Sequence, residues 1–227
     1  MKVFQYTGTG KRKSNQDFAI ARQFDDERGV FVLADGMGGY SNGAEAAQLV
    51  ATAITNFVSS NLNLQPDALL RQAVIDANEK LSSLRYAYGC VKMGAVIAVV
   101  LVLHDKAYCT WLGDSRIYHF RKDQLLFMSN DHSAVNEWRA KAVLTPNQIE
   151  KYSSMVTRCV MGDNRLGSVE VHTFDIEEDD VIILCSDGLH KKLNLALLPE
   201  SFSELEDYLS TNNDSFDDNY TIIKLFV

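Results

Sequence analysis

Four aspartates lie at or beside the ends of short apolar segments that have the composition of β-strands. These residues are Asp35, Asp114, Asp187 and Asp218. A carboxylate at the end of a strand stands at the rim of its sheet, and several such rims brought together form an oxygen-rich pocket. Because hard divalent cations prefer oxygen ligands, the pattern predicts a metal-dependent enzyme.

Glycine follows two of these aspartates, at Gly36 and Gly188. Glycine lets the backbone turn sharply beside a carboxylate, and at Gly36 it also lets a carbonyl oxygen approach a cation. One Asp-Gly pair is more often only a turn, but recurrence at several strand ends favours a site. Asp217 and Asp218 are both candidates for the last carboxylate of the set.

Composition and charge exclude several other classes of protein. The chain has 227 residues and a formal net charge of −8, and its longest basic run, Lys11–Lys13, is too short to form a groove for nucleic acid. The longest apolar run, Ala95–Leu103, is far below the ~20 residues that a membrane-spanning helix needs. We therefore expect no nucleic-acid partner and no membrane partner.

The cysteines indicate the compartment. The four cysteines are scattered and form no CxxC pair. This spacing favours neither a zinc site nor a disulfide framework, and it is typical of a reducing, cytoplasmic setting.

Hydrophobic periodicity predicts layers of sheet covered by helices. One long helix is expected from Ser41 or Asn42 to about Ser60, and a second from Asp67 to Tyr86 after Pro66. Val181–Cys185 is apolar on both sides of the strand alternation, which is typical of a strand covered on both faces. A meander of antiparallel strands is expected at Met93–Leu103, Ala107–Leu112, Arg116–Arg121 and Gln124–Met128. Further elements are expected at Ser133–Val143 and Pro146–Tyr152 (helices), Ser168–Phe174 and Val181–Cys185 (strands), Phe202–Leu209 (helix) and Tyr220–Val227 (strand).

Seven short motifs occur in a fixed order along the chain. They are Arg12–Asp17, Ala34–Gly39, Leu112–Arg116, Asn130–Ser133, Val156–Gly162, Ser186–Leu189 and Asp218–Thr221. In this order and spacing the sequence resembles the PPM-type metal-dependent protein serine/threonine phosphatases (protein phosphatase type 2C), in their short bacterial form. The resemblance covers about residues 8–225.

The resemblance implies a fold, a domain organisation and a cofactor. The fold is α+β, a four-layer α-β-β-α sandwich of two mainly antiparallel sheets flanked by helices. Residues 1–227 would form a single metal-dependent phosphatase domain, with a short flap at about residues 133–165. The cofactor would be Mg²⁺ or Mn²⁺, as two and possibly three ions, with no organic cofactor.

The resemblance also implies which residues hold the metals. Asp35 would bridge both ions, and Gly36 would offer its carbonyl oxygen to one of them. Asp187 and Asp218 would hold the other ion. The motif that begins at Asp218 favours Asp218 over Asp217 for this role. Asp114 would help to bind a third, weaker ion.

The resemblance implies two further residues, both catalytic. Arg12 would bind the substrate phosphate, because its planar fork donates two hydrogen bonds to two oxygens. Asp17 would support the centre through a metal-bound water.

The implied function is hydrolysis of phosphoserine and phosphothreonine on proteins by a metal-bridged water, with phosphorylated proteins as partners and a Ser/Thr kinase as the opposing enzyme. One alternative is a phosphatase-like regulatory or binding domain with weak catalysis. The other is a phosphohydrolase that acts on small phosphoesters.

The chain departs from the family pattern at three places. Gln16 stands where many members carry glutamate, and Met37 stands where eukaryotic members carry histidine. No general acid is therefore visible in the sequence, and a metal-bound water is expected to protonate the leaving group. Ala95 and Val96 stand where the family has two threonines, a loss that predicts reduced activity.

Overall fold

The computed structural model describes residues 1–37, 42–89, 92–122, 124–139, 141, 143–198 and 200–227. Its strands are β1 (Lys2–Gly8), β2 (Asp17–Gln23), β3 (Arg28–Gly36), β4 (Ala95–Leu103), β5 (Lys106–Leu112), β6 (Arg116–Arg121), β7 (Gln124–Met128), β8 (His172–Asp175), β9 (Val181–Cys185) and β10 (Tyr220–Phe226). Its α-helices are α1 (Gly43–Ser60), α2 (Pro66–Ala87), α3 (Ala134–Arg139), α4 (Pro146–Tyr152), α5 (Asp187–His190) and α6 (Phe202–Thr211).

The strands form two five-stranded sheets in which every neighbouring pair is antiparallel. The first sheet has the order β1-β10-β9-β6-β7, and the second has the order β2-β3-β4-β5-β8. The strand β1 pairs with β10, so the two ends of the chain lie side by side in the first sheet. The predicted α+β class with antiparallel sheets is confirmed.

Side chains of the central strands alternate between two buried layers. On β3, Phe31 and Leu33 face the other sheet, where they pack with residues such as Ile182 and Leu184 of β9. The intervening Val32 faces the opposite way and packs against the long helices. Because both faces of these strands are covered, a continuous apolar run is what the position requires.

The helices cover the two outer faces of the sheets. The helices α1 and α2 pack their buried faces, with Val50, Ile54 and Leu70 among them, against the second sheet. On the other side, Leu189 of α5 and Leu205 of α6 pack against the first sheet. The layers therefore follow the predicted α-β-β-α order. Among the described residues, no helix is both long and apolar enough to cross a bilayer.

The starts of the long helices follow their local sequence. Asn42 occupies the position before α1 and donates from its side chain to Glu45 Oε2 at 3.2 Å, whereas the alternative cap, Ser41, lies outside the described residues. The helix α2 begins at Pro66, where the missing N–H costs nothing because the first helical N–H groups have no partner within the helix.

The predicted meander of four strands is wrong at its middle. The hairpin β4-β5 belongs to the second sheet, whereas the hairpin β6-β7 belongs to the first. The chain crosses between the sheets at Gly113, whose φ of 107° is in the left-handed region that favours glycine. This crossing brings Asp114 to the seam between the two sheets.

Two predicted boundaries are also too wide. The helix expected at Ser133–Val143 ends at Arg139, and the strand expected from Ser168 begins only at His172. In the second case the Arg158 guanidinium donates to the carbonyl of Ser168. The pairing of this strand with β5 starts at His172, opposite Cys109.

We expect the core between sheet and helices to dominate stability. Leu101 on β4 is fully buried, whereas Leu126 on the edge strand β7 is 45% exposed. Leu101→Ala should lower the free energy of unfolding by about 2–5 kcal/mol because it removes buried methyl groups and leaves a cavity. Leu126→Ala, the matched control, should change it by roughly 0.5 kcal/mol or less. Urea denaturation of both variants would measure this, and equal losses would contradict the packing described here.

Candidate active site

The strand-end aspartates meet at one edge of the sandwich. Asp35 lies at the end of β3, and Asp114 lies in the crossing from β5 to β6. Asp187 is the first residue of α5, directly after β9, and Asp218 lies just before β10. All four line one cavity of about 630 Å³, so carboxylates from both sheets face a shared space.

Six of the seven predicted site residues line this cavity. They are Arg12, Asp35, Gly36, Asp114, Asp187 and Asp218. The seventh, Asp17, is buried and pairs with Asp35 in the register of β2 and β3. The structure therefore brings the predicted set together, with Asp17 behind the cavity rather than on its wall. Gly38 and Gly39, which belong to the second motif, lie outside the described residues.

Hydrogen bonds from the first sheet hold Asp17 in place. The Ser186 hydroxyl donates to Asp17 Oδ2 at 2.8 Å, and the same hydroxyl accepts the backbone N–H of Thr221 at 2.9 Å. Asp17 starts a strand of the second sheet, whereas Ser186 directly follows β9 and Thr221 lies in β10, both strands of the first sheet. This buried chain of bonds therefore ties the two sheets together beneath the cavity.

Burial and mutual repulsion make these carboxyl groups hard to ionise. Burial raises the pKa of Asp17 to about 7, against the hydrogen bonds from Thr221 and Ser186, which lower it. Burial, followed by repulsion from Asp187, raises the pKa of Asp114 to about 6. The pKa of Asp35 is raised well above its ordinary value by burial and then by the charge of Asp17. Concentrated negative charge of this kind is stabilised by cations.

Two basic side chains contact the carboxylates. Arg12 Nη2 lies 2.7 Å from Asp218 Oδ2. Lys191 Nζ lies 2.6 Å from Asp187 Oδ2 and 3.8 Å from Asp114 Oδ2. Lys191 was not among the predicted site residues, although it follows Asp187 by four residues, a spacing that brings side chains together along a helix.

The two neighbouring aspartates near the C-terminus have different surroundings. Asp217 is exposed and pairs with Lys11 at 2.6 Å. Asp218 faces the cavity and accepts the backbone N–H of Asn219 at 2.9 Å. The side chain of Asp218 is therefore the one directed toward the cavity.

Asn219 fixes the loop that carries Arg12. Its side-chain amide donates to the carbonyls of Thr9 and Ser14 at 2.9 and 3.0 Å, and its side-chain oxygen accepts the N–H of Gln16 at 2.9 Å. Asn219 is 5% exposed, so these contacts are shielded from water. Asn219, which was not among the predicted site residues, thus positions the loop that places Arg12 beside Asp218.

His132 holds the crossing loop from the other side. Its backbone N–H donates to the Gly113 carbonyl at 2.8 Å, and its Nδ1 accepts the Gly113 N–H at 3.3 Å. Its ring stacks on Trp111, with centroids 6.0 Å apart. These contacts give His132 a packing role and fix the peptide before Asp114.

An apolar wall closes one side of the cavity. Val96 is 3% exposed and packs with Cys159 and Met161, and Met37 and Val156 join this cluster. Val96 stands at one of the two positions where threonine hydroxyls were expected. This side of the cavity is therefore apolar at a position where a hydroxyl was expected.

The donor set fits hard divalent cations. Carboxylate oxygens and the Gly36 carbonyl are the ligand types that Mg²⁺ and Mn²⁺ prefer, and the described residues around the cavity offer no histidine or cysteine on its wall. Within the described part of the chain, no three acidic, imidazole or thiol groups already enclose a single point. The carboxylates of Asp187 and Asp218 are instead engaged by Lys191 and Arg12.

The family described as "Protein phosphatase 2C" matches residues 8–219. The chain belongs to this family. The match begins before the Arg12 loop and ends at Asn219, so it includes every residue of the predicted site. The resemblance inferred from the seven motifs is confirmed.

Individual relatives span almost the whole chain. Protein phosphatase PhpP of Streptococcus pneumoniae is 26% identical over 233 aligned positions, which cover 99% of this chain and 90% of the relative. Serine/threonine phosphatase stp of Listeria innocua is 25% identical and covers 93% of this chain and 90% of its own. The first relative is named a protein phosphatase and the second a serine/threonine phosphatase, which is the enzyme class predicted from the sequence.

Solved structures share the fold. Serine/threonine phosphatase Stp1 from Staphylococcus aureus superimposes with a TM-score of 0.85 at 24% identity, covering 100% of this chain and 95% of that one. The catalytic domain of the serine/threonine protein phosphatase PstP, solved with two manganese ions, gives 0.82 at 22% identity, with 98% and 96% covered. The predicted four-layer sandwich is thus the fold of this 2C-type chain.

The raised carboxyl pKa values predict an unusual pH dependence of stability. An aspartate ordinarily has a pKa near 3.8, whereas that of buried Asp17 is about 7. Between these values the folded protein holds a proton that the unfolded chain releases, so stability falls as the pH rises. For metal-stripped protein, the melting temperature should decrease from about pH 5 to about pH 7.5, and Asp17→Asn should flatten this decrease.

The matched control for this measurement is Asp217→Asn. Asp217 is exposed, and its hydrogen bond to Lys11 lowers its pKa, so its titration falls below the measured window. That variant should keep the wild-type slope. A melting temperature that changes with pH by the same amount in the wild type and in Asp17→Asn would contradict the assignment.

Proposed function

We propose that the protein hydrolyses phosphoserine and phosphothreonine on other proteins with the help of divalent cations. The observation that carries this proposal is that carboxylates from both sheets line one cavity together with Arg12. Family membership supports the same reaction class. The opposing enzyme would be a Ser/Thr kinase, whose phosphorylated products are the substrates.

The cations would be Mg²⁺ or Mn²⁺. We propose that Asp35 and the Gly36 carbonyl hold one ion and that Asp35, Asp187 and Asp218 hold the other, since all four residues line the cavity. When bound, such ions offset charge on phosphoryl oxygens and lower the pKa of water toward neutrality.

Arg12 is proposed to bind the phosphate. Its guanidinium uses Nη2 for Asp218, and a guanidinium offers five N–H donors, so it can also hold phosphoryl oxygens. The loop that carries Arg12 is tied down by Asn219, which keeps the guanidinium at the cavity with little loss of entropy on binding.

Asp17 is proposed as a positioning residue for Asp35. It lies opposite Asp35 in the strand pair and is held by the Ser186 hydroxyl. Without bound cations the pKa of Asp17 is about 7, and positive charge held at Asp35 would lower that pKa.

Domain organisation and location are part of the same proposal. Pairing of β1 with β10 supports one domain over residues 1–227. The described cysteines, Cys109, Cys159 and Cys185, are buried free thiols, which supports a reducing compartment, the cytoplasm.

The apolar wall favours a second candidate function, a phosphatase-like regulatory domain with weak catalysis. Ala95 and Val96 stand where two threonines were expected, and the side chain of Val96 packs against Met161. An apolar surface cannot donate hydrogen bonds to a bound phosphoester. The rate of the wild-type protein decides between the two functions.

The proposed function is tested by Mn²⁺-dependent hydrolysis of a phosphothreonine peptide. Asp35→Asn and Asp187→Asn should each lower kcat/KM by more than the roughly 10–100-fold typical of residues that only support a metal ligand. Asp217→Asn, an exposed acid beside Asp218 that pairs with Lys11, should retain wild-type activity.

A wild-type rate no higher than that of Asp35→Asn would refute the enzyme and favour the regulatory domain. Faster turnover of small phosphoesters than of the peptide, measured as kcat/KM, would instead identify a small-molecule phosphohydrolase.

A further inference from the structure

Among the described residues, Lys191 is the only lysine whose ammonium group pairs with two carboxylates of the cavity. Its Nζ is 2.6 Å from Asp187 Oδ2 and 3.8 Å from Asp114 Oδ2. Asp114 reaches this point from the crossing between β5 and β6, whereas Asp187 reaches it from the end of β9. One ammonium therefore joins acidic groups carried by two different sheets.

Local geometry directs the lysine to this position. Lys191 directly follows the short helix α5, its backbone is helical, and its N–H donates to the Asp187 carbonyl at 3.0 Å. Residues four apart on a helix share a face, and side chains point back toward the N-terminus. The ammonium group of Lys191 therefore lies next to the Asp187 carboxylate.

The preceding residue fixes Asp114 beside the same helix. His190 Nε2 lies 2.9 Å from the Asp114 backbone carbonyl; since a carbonyl only accepts, Nε2 carries the hydrogen. His190 thus holds the main chain of Asp114 while Lys191 contacts its side chain. Two adjacent residues of one helix end secure both parts of Asp114.

An ammonium at this point competes with a metal ion. A divalent cation that bridged Asp114 and Asp187 would need the oxygens that face Lys191 Nζ, and like charges a few ångströms apart repel. The side chains of Asp187 and Asp114 are 22% and 12% exposed, whereas that of Lys191 is 49% exposed. The lysine can therefore be displaced toward solvent, but only by an ion that overcomes its attraction to both carboxylates.

We propose that the ammonium group of Lys191 occupies the position between Asp114 and Asp187 where a third metal ion would otherwise bind. This inference rests on the proposed function, because it assumes that Asp35, Asp187 and Asp218 hold two ions. It replaces the expectation that Asp114 is a metal ligand with a different role, as a partner of Lys191. The protein would then need only two bound metal ions, because Lys191 supplies the positive charge of the third.

The test counts Mn²⁺ ions bound per chain by equilibrium dialysis and isothermal titration calorimetry. The wild type should bind two ions. Lys191→Met should bind a third ion, because the substitution removes a repelling charge. The dissociation constant of this third ion should be at least about tenfold below that of any third ion in the wild type. Adding Asp114→Asn to Lys191→Met should abolish the third ion. If Lys191→Met does not fold, Lys191→Gln removes the same charge.

Lys192→Met is the matched control. Lys192 is the next residue, is exposed, and has no ion pair with Asp114 or Asp187 among the described contacts, so this variant should bind two ions like the wild type. A third ion of equal affinity in the wild type and Lys191→Met would overturn the inference while leaving two-ion binding intact. A third ion that survives Asp114→Asn would also overturn it. A wild type that binds no Mn²⁺ would refute the proposed function and this inference with it.

Discussion

Repulsion among carboxylates that are gathered at one edge of the sandwich is the constraint on which the site depends. Asp35, Asp114, Asp187 and Asp218 face one cavity, and Asp17 lies buried behind them. Such a group is tolerated only if positive charge approaches it or if some members stay protonated. The raised pKa values and the approach of Arg12 and Lys191 are both consequences of this requirement.

The sandwich is arranged so that this repulsion cannot push the carboxylates apart. Apolar side chains between the sheets fix their separation, and the Ser186 hydroxyl bonds to Asp17 across the seam beneath the cavity. Close backbone packing adds to this rigidity: a Cβ at Gly188 would come within 2.1 Å of the Asn219 carbonyl oxygen, and one at Gly36 within 2.4 Å of the Gly43 carbonyl oxygen. The carboxylates therefore stay close together because packing and hydrogen bonds between the sheets oppose their repulsion.

Local sequence predicted the elements well and their assembly less well. The strand β9 and the helix α4 have the predicted bounds because their signals, an unbroken apolar run and a Thr-Pro start, are local. The crossing at Gly113 was predicted as a hairpin, since a Gly-Asp-Ser segment suits either connection and only pairing of β6 with β9 decides. Strand-end carboxylates identified the candidate site, whereas the contact of Lys191 with Asp114 depends on two sheets meeting and cannot be seen in a linear pattern.

The proposed function requires that carboxylates from both sheets hold divalent cations in one cavity. Anomalous X-ray diffraction from crystals grown with Mn²⁺ tests it most directly, because the manganese signal locates each ion without reference to activity. We expect two anomalous peaks in the cavity, one against Asp35 and the Gly36 carbonyl and the other against Asp35, Asp187 and Asp218. Absence of anomalous density among these residues at saturating Mn²⁺ would contradict it.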